Sequence, residues 1–168
     1  MKIVYPGSFD PVTIGHMDII QRSAAIFDEV VVGVLTNTQK ASLFSSTERI
    51  EMIEQLLYDY DNVSVQGFSG LLVDFVRLCG ADGVVRGLRE MTDFEYERQM
   101  ALLNRSMFPQ METIFLVADS AYSYISSSYA REIAMWGGDV SRLVPPLVEE
   151  KLREKYSTGG KNGHSAIG

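Results

Sequence analysis

The chain has 168 residues, 46% of them apolar and 22% charged, which suits a single soluble domain built around one continuous core. Its formal net charge of −7 argues against a nucleic-acid partner, which calls for a basic surface, but it leaves room for a small phosphorylated ligand held by a few local cations. The single cysteine, Cys79, excludes an intrachain disulfide, and no Cys/His group has zinc spacing.

The first apolar run, Lys2–Tyr5, reads as a short buried strand, cut off by Pro6 and Gly7. His16–Phe27 carries Met17, Ile20, Ala24 and Phe27 at helical spacing. Glu29–Leu35 is continuous and β-branched, as strands buried on both faces are. Ser45 and Glu48 have capping-box spacing and open the next helix. Asn62–Gln66 is a strand, and Leu71–Cys79 a helix closed by Gly80, with Cys79 expected on its buried side as a small core residue. Asp82–Gly87 is a strand, Asp93–Met107 a helix, Thr113–Ala118 a strand and Ser127–Trp136 a helix stopped by two glycines. The last helix opens at the prolines of "PPLVEEKLREKY". The Gly-rich stretch 157–168, which includes His164, is expected to be a flexible tail after one domain spanning 1–156. No run of about 18 apolar residues is present, nor a basic segment leading into an apolar core. The expectation is a cytoplasmic protein with no membrane partner.

Five strands alternating with helices predict an α/β fold, a five-stranded parallel sheet with helices on both faces. Such sheets bind ligands beyond the carboxyl ends of their strands. The segments expected there are "PGSFDPVTIGH", "TNTQK", "GFSGLL", "RGLRE" and "DSAYSYISSS". Four of them carry Gly, Ser, Thr, Lys, Arg or His, the residues that bind phosphate; the third is mainly apolar and suits a non-polar part of a ligand.

Each motif admits two readings when taken alone. In "GSFDPVTIGH", a helix opening at Gly15 and His16 aims backbone N–H groups at an anion. The helix dipole disfavours a histidine cation there, so His16 reads as a neutral donor. Alternatively Ser8, Asp10 and Thr13 are turn and cap residues. Arg86 and Arg89 are either phosphate forks or a solvated pair. Lys40 is either a phosphate ligand or a solvated loop lysine. "ISSS" is either a phosphate cradle or an N-cap run, and Glu97 either a surface acid or a ligand to ribose or metal. No P-loop, no "GxGxxG" and no nucleophile–base pair occurs, which points to direct transfer between two bound substrates.

Taken together, "YPGSFDPVTIGHMDII", "VVRGLREMTDFEYERQMALLNR" and "YSYISSSYAREIA" resemble the T-x-G-H nucleotidyltransferase superfamily, and within it the bacterial phosphopantetheine adenylyltransferases, from about Lys2 to about Tyr156. The first motif alone fits the whole superfamily, including nicotinamide mononucleotide adenylyltransferases and cytidylyltransferases; the later two narrow it. The resemblance implies a Rossmann-like nucleotidyltransferase fold and transfer of AMP from ATP to 4′-phosphopantetheine, giving dephospho-coenzyme A and pyrophosphate. It implies Mg2+ carried on the ATP phosphates rather than by protein ligands, and a homohexamer built as a dimer of trimers. It implies catalytic roles for His16, as transition-state stabiliser, and for Lys40 and Arg89. Phosphopantetheine contacts fall at Ser8, Lys40, Leu72 and Arg86. ATP contacts fall at Ser8, Phe9, His16, Gly87, Leu88, Arg89, Glu97, Tyr122, Ser123, Tyr124, Ile125, Ser126, Ser127 and Ser128. The chain departs from the family pattern at Ile14, where many relatives have Asn.

Overall fold

The computed structural model of the chain describes residues 1–36 and 41–159. The elements run β1 (Lys2–Gly7), α1 (Ile14–Ile26), β2 (Glu29–Leu35), α2 (Ser46–Leu56), β3 (Val63–Phe68), α3 (Leu72–Cys79), β4 (Gly83–Leu88), α4 (Met91–Met107), β5 (Glu112–Val117), α5 (Ser127–Met135) and α6 (Pro146–Gly159). All four strand pairings are parallel, in the order β3-β2-β1-β4-β5. Every predicted strand and helix is present, most ends shifted by a residue or two, while α2 stops four residues before Tyr60 and α6 runs three past Tyr156. β1 runs on through Pro6 and Gly7, because the parallel register with Gly33 and Val34 accepts them. α6 continues through 157–159, residues expected in the tail; Lys40 and His164 lie outside the described residues.

Strand alternation divides the core between two faces. Ile3 and Tyr5 of β1 and Val30, Val32 and Val34 of β2 point to one side, where they pack with Ile19 and Ile20 of α1, Ile53 of α2, Ala130 of α5 and Leu152 of α6. Val4, Val31 and Val84 point to the other, against Val73, Phe75 and Val76 of α3. The central strands are buried on both faces, which is why they read as unbroken apolar runs. Cys79 is less buried than its helical position suggested: it ends α3, half-exposed, 3.8 Å from Gln66 Oε1. Gly83 is fixed by the sheet itself, since a Cβ there would lie 2.3 Å from the Glu112 carbonyl oxygen on β5. β1 pairs with β2 on one side and β4 on the other, so the strand order reverses beside its carboxyl end. A cleft opens there, as the switch-point rule requires.

Candidate active site

The cleft has a volume of about 880 Å³ and lies across the ends of β1, β2 and β4. Its floor is the turn after β1. Phe9 adopts φ 47°, a left-handed conformation uncommon for a bulky residue. Its ring folds back into the space a side chain at position 7 would need, so Gly7 is required by Phe9 rather than by a ligand. Phe9 is buried beneath the cleft and meets Tyr5 and His16 edge-on, with ring centroids 5.5 and 5.0 Å away. It supports the site from below and does not line it.

His16 is held by a capping box at the start of α1. Thr13 is the N-cap; its Oγ1 accepts from the His16 backbone N–H. In return the Thr13 backbone N–H donates to His16 Nδ1 at 3.0 Å. An Nδ1 that accepts leaves the ring proton on Nε2, so the imidazole presents a single N–H donor. Burial, followed by the nearby charges of Arg89 and Arg86, lowers its pKa to about 4. The neutral donor expected from the sequence is what forms, with burial and the two guanidiniums as its causes. Thr13 meanwhile is the cap residue of the alternative reading: the same four residues build both the helix start and the donor.

Arg86, at the end of β4, does not stand free. Its Nε and Nη2 donate to the two carboxylate oxygens of Glu97 on α4 at 2.8 and 2.6 Å, and its Nη1 donates to the Pro6 carbonyl at 2.8 Å. Burial works against its charge, but the hydrogen bonds and charge of Glu97 outweigh that and raise its pKa. Glu97 is therefore first a partner of Arg86, a role neither reading of the sequence included. Arg89 Nη1 donates to the Ile125 carbonyl at 3.3 Å, and its Nε lies 3.4 Å from Asp93.

The segment before α5 closes the far wall. Ser126 is the N-cap, its Oγ accepting from Tyr129 N–H, and Ser127 Oγ donates to the Pro11 carbonyl, tying α5 to the β1 turn. Tyr122, Ile125, Ser126, Ser127 and Ser128 line the cleft with Ser8, His16, Leu72, Arg86, Gly87, Arg89 and Glu97. Ser123, Tyr124 and Leu88 do not; Ser123 Oγ turns back to the Ser120 carbonyl, and Tyr124 is 60% exposed. On the opposite side, Phe68, Gly70, Leu71 and Leu72 form the apolar wall predicted for the third loop.

At the cleft, Arg49 and Arg131 escape the sequence reading, and Asp10 figures there only as a turn or cap residue. Asp10 accepts from the backbone N–H groups of Leu43 and Phe44 at 2.9 Å each, which pins the segment after β2 to the β1 turn. Arg131 donates to the Asp10 carbonyl. Arg49, only 3% exposed, donates from Nη1 to the carbonyls of Ser8 and Leu35 at 2.6 and 3.0 Å. A signal for Arg49 was present: with Met52 and Ile53 it occupies the buried face of α2 at helical spacing, an unusual place for a guanidinium.

Among the described residues, no group of three or more His, Cys, Asp or Glu is placed to hold a metal ion, and no helix is long and apolar enough to cross a membrane.

Residues 4–133 match the cytidylyltransferase-like family. The phosphopantetheine adenylyltransferase of Heliobacterium modesticaldum is 52% identical over 91% of this chain and 91% of its own. That of Dictyoglomus thermophilum is 52% identical over 96% of this chain and 98% of its own. The nicotinic acid mononucleotide adenylyltransferase of Plasmodium falciparum shares the fold at a TM-score of 0.64 and 16% identity, over 93% of this chain and 95% of its own.

Proposed function

The chain belongs to the phosphopantetheine adenylyltransferases of the cytidylyltransferase-like family, and from that premise we infer that it transfers AMP from ATP to 4′-phosphopantetheine, giving dephospho-coenzyme A and pyrophosphate. The observation that carries the reading is the convergence, in one cleft, of a neutral histidine donor with Arg86 and Arg89.

A phosphate monoester is already a nucleophile, so the acceptor attacks the α-phosphorus in line and pyrophosphate leaves. The protein's part is positioning and charge stabilisation. His16 Nε2–H donates to an α-phosphate oxygen as charge builds on it. Arg86, its fork oriented by Glu97, and Lys40 direct the attacking phosphate; Arg89 and the 122–128 segment hold the nucleotide. Mg2+ carried on the triphosphate would supply charge neutralisation to the pyrophosphate leaving group, with Arg89 and the 122–128 segment holding the nucleotide that bears it. The donor set fits that arrangement, because the described residues offer cations and hydroxyls to a phosphate and no carboxylate cage to a bare ion.

Assembly as a homohexamer fits the exposed apolar residues on α4 and β5, Leu102 at 57%, Leu103 at 56% and Val117 at 69%. A cytoplasmic setting is the natural one for such an enzyme. Pyrophosphate release with ATP plus 4′-phosphopantetheine, set against ATP plus nicotinamide mononucleotide, tests the function. Turnover with the first pair alone is expected. Turnover only with the second would transfer the chain to another branch of the superfamily, and ATP binding with no turnover would make it a binding module.

A further inference from the structure

The cleft has two ends. Arg89, Tyr122 and Ser126–Ser128 stand on the β4–β5 side; Leu35, Phe68, Leu71 and Leu72 stand on the β2–β3 side. Arg49 belongs to the second end, where it lines the cleft between Ser8 and Leu35. The residue as a whole is more than nine-tenths buried. Nε donates to the Ser45 carbonyl at 3.3 Å and Nη1 to the carbonyls of Ser8 and Leu35. All three acceptors are neutral, and no carboxylate among the described residues pairs with it. Among the described residues Nη2 has no acceptor, and none of their fully buried side-chain nitrogens lacks a partner, which leaves Nη2 open to the cleft that Arg49 lines.

A buried charge needs an opposite charge, because desolvation otherwise outweighs its hydrogen bonds. The neighbouring arginines have theirs: Arg86 is doubly bonded to Glu97, Arg89 lies beside Asp93, and Arg131 beside Asp10. Arg49 has only the cleft. Arg86 and Arg49 hold the carbonyls of Pro6 and Ser8, so the two guanidiniums bracket Gly7. We propose that Arg49 is a phosphate-binding residue, and that its Nη2 donates to the terminal phosphate monoester of the acceptor while the apolar wall receives the acceptor's arm. The three backbone bonds fix the guanidinium plane in advance, so a charge-assisted bond from Nη2 to a phosphate oxygen costs little further freedom. This deepens the acceptor assignment made above and rests on it for the identity of the phosphate's carrier.

The test compares 4′-phosphopantetheine with pantetheine, which lacks the phosphate, by calorimetric titration of wild-type protein, Arg49→Met and Arg49→Lys. Arg49→Met is expected to lose at least about 10-fold in affinity for phosphopantetheine, with pantetheine and ATP held within about 3-fold, and Arg49→Lys to recover part of the loss. Equal losses for both acceptor forms, or no loss for the phosphorylated one, would overturn the proposal. If Arg49→Met does not fold, wild-type protein with 15N-labelled arginine side chains gives the answer. The Arg49 Nη resonances should shift with phosphopantetheine and with inorganic phosphate but not with pantetheine; an unmoved resonance overturns the proposal. The two readings fail separately. Wild-type protein that releases no pyrophosphate from ATP and phosphopantetheine sinks the acceptor's identity, and the inorganic phosphate titration then decides Arg49 alone.

Discussion

His16 offers the sharpest perturbation, because its local structure and its chemistry can be removed one at a time. His16→Ala deletes the Nε2–H donor and also the acceptor of the Thr13 backbone N–H. The first loss falls on the transition state. One preorganised donor to a developing oxyanion is worth roughly 2.7–4 kcal/mol, or about 10²–10³ in kcat. The second loss falls on the fold, at about 1 kcal/mol for half a capping box. Thr13→Ala supplies the control: it removes Oγ1, which accepts from His16 N–H, but keeps the backbone donor that fixes the tautomer. Stopped-flow or coupled measurement of pyrophosphate release should show His16→Ala down at least about 10² in kcat with ATP affinity nearly kept. Thr13→Ala should lose similar stability in urea but stay within about tenfold in kcat. If the two variants lose kcat equally, the helix start matters and the imidazole donor does not, and the mechanism above is wrong.

Acid should also destabilise the protein through the same ring. With a pKa lowered from 6.5 to about 4, His16 takes its proton first in the unfolded chain. Its neutral form is fully compatible with the fold above pH 6.5, and its share of stability falls by roughly 3 kcal/mol as pH drops towards 4; an NMR titration of His16 with a midpoint near 6.5 in the folded protein would refute this. Arg86→Ala should raise KM for phosphopantetheine more than for ATP and leave Glu97, which is 13% exposed, without its partner, at a cost of roughly 2–3 kcal/mol in denaturant melts. Adding Glu97→Ala should restore part of that stability but none of the acceptor KM, and recovery of both would show that Arg86 acts only on the fold. Gly83→Ala drives a Cβ against the Glu112 carbonyl and should cost about 3 kcal/mol or more by urea midpoint; a neutral result would mean β4 and β5 do not hold this register.

Much of this architecture is legible because the strands are short, apolar and regularly punctuated. Val30–Val32 can only be a strand buried on both faces, and Gly80, at φ 60°, ends α3 as a left-handed cap where the sequence places it. The chemistry at strand ends was readable for the same reason, since a parallel sheet sends its loops to one edge. What stayed hidden depends on partners distant in the chain. That Arg86 and Glu97 cancel one another follows from α4 lying over the end of β4, and no spacing rule conveys that. Asp10 looks like a turn residue until the 41–44 segment arrives over it. Phe9 looks like a ligand contact, yet its left-handed backbone turns the ring inward to become the support under His16. Lys40, placed among the acceptor ligands by resemblance, lies outside the described residues.

The placement of β1 in the middle of the sheet has a consequence for how the protein comes into being. Lys2 faces Glu29, an early partner, but Ile3 also faces Gly83, and that pairing waits until β4 has been made. The helix α5, whose Ser127 and Arg131 hold the turn beyond β1, arrives later still. A growing chain that stops short of α5 already holds all five strands but no closed cleft, so nucleotide can stabilise only the finished molecule. Long-range pairings of this kind are slow to close. ATP supplied during refolding should therefore leave the early rates unchanged and act only on the last step, where the two ends of the chain's story meet around Gly7.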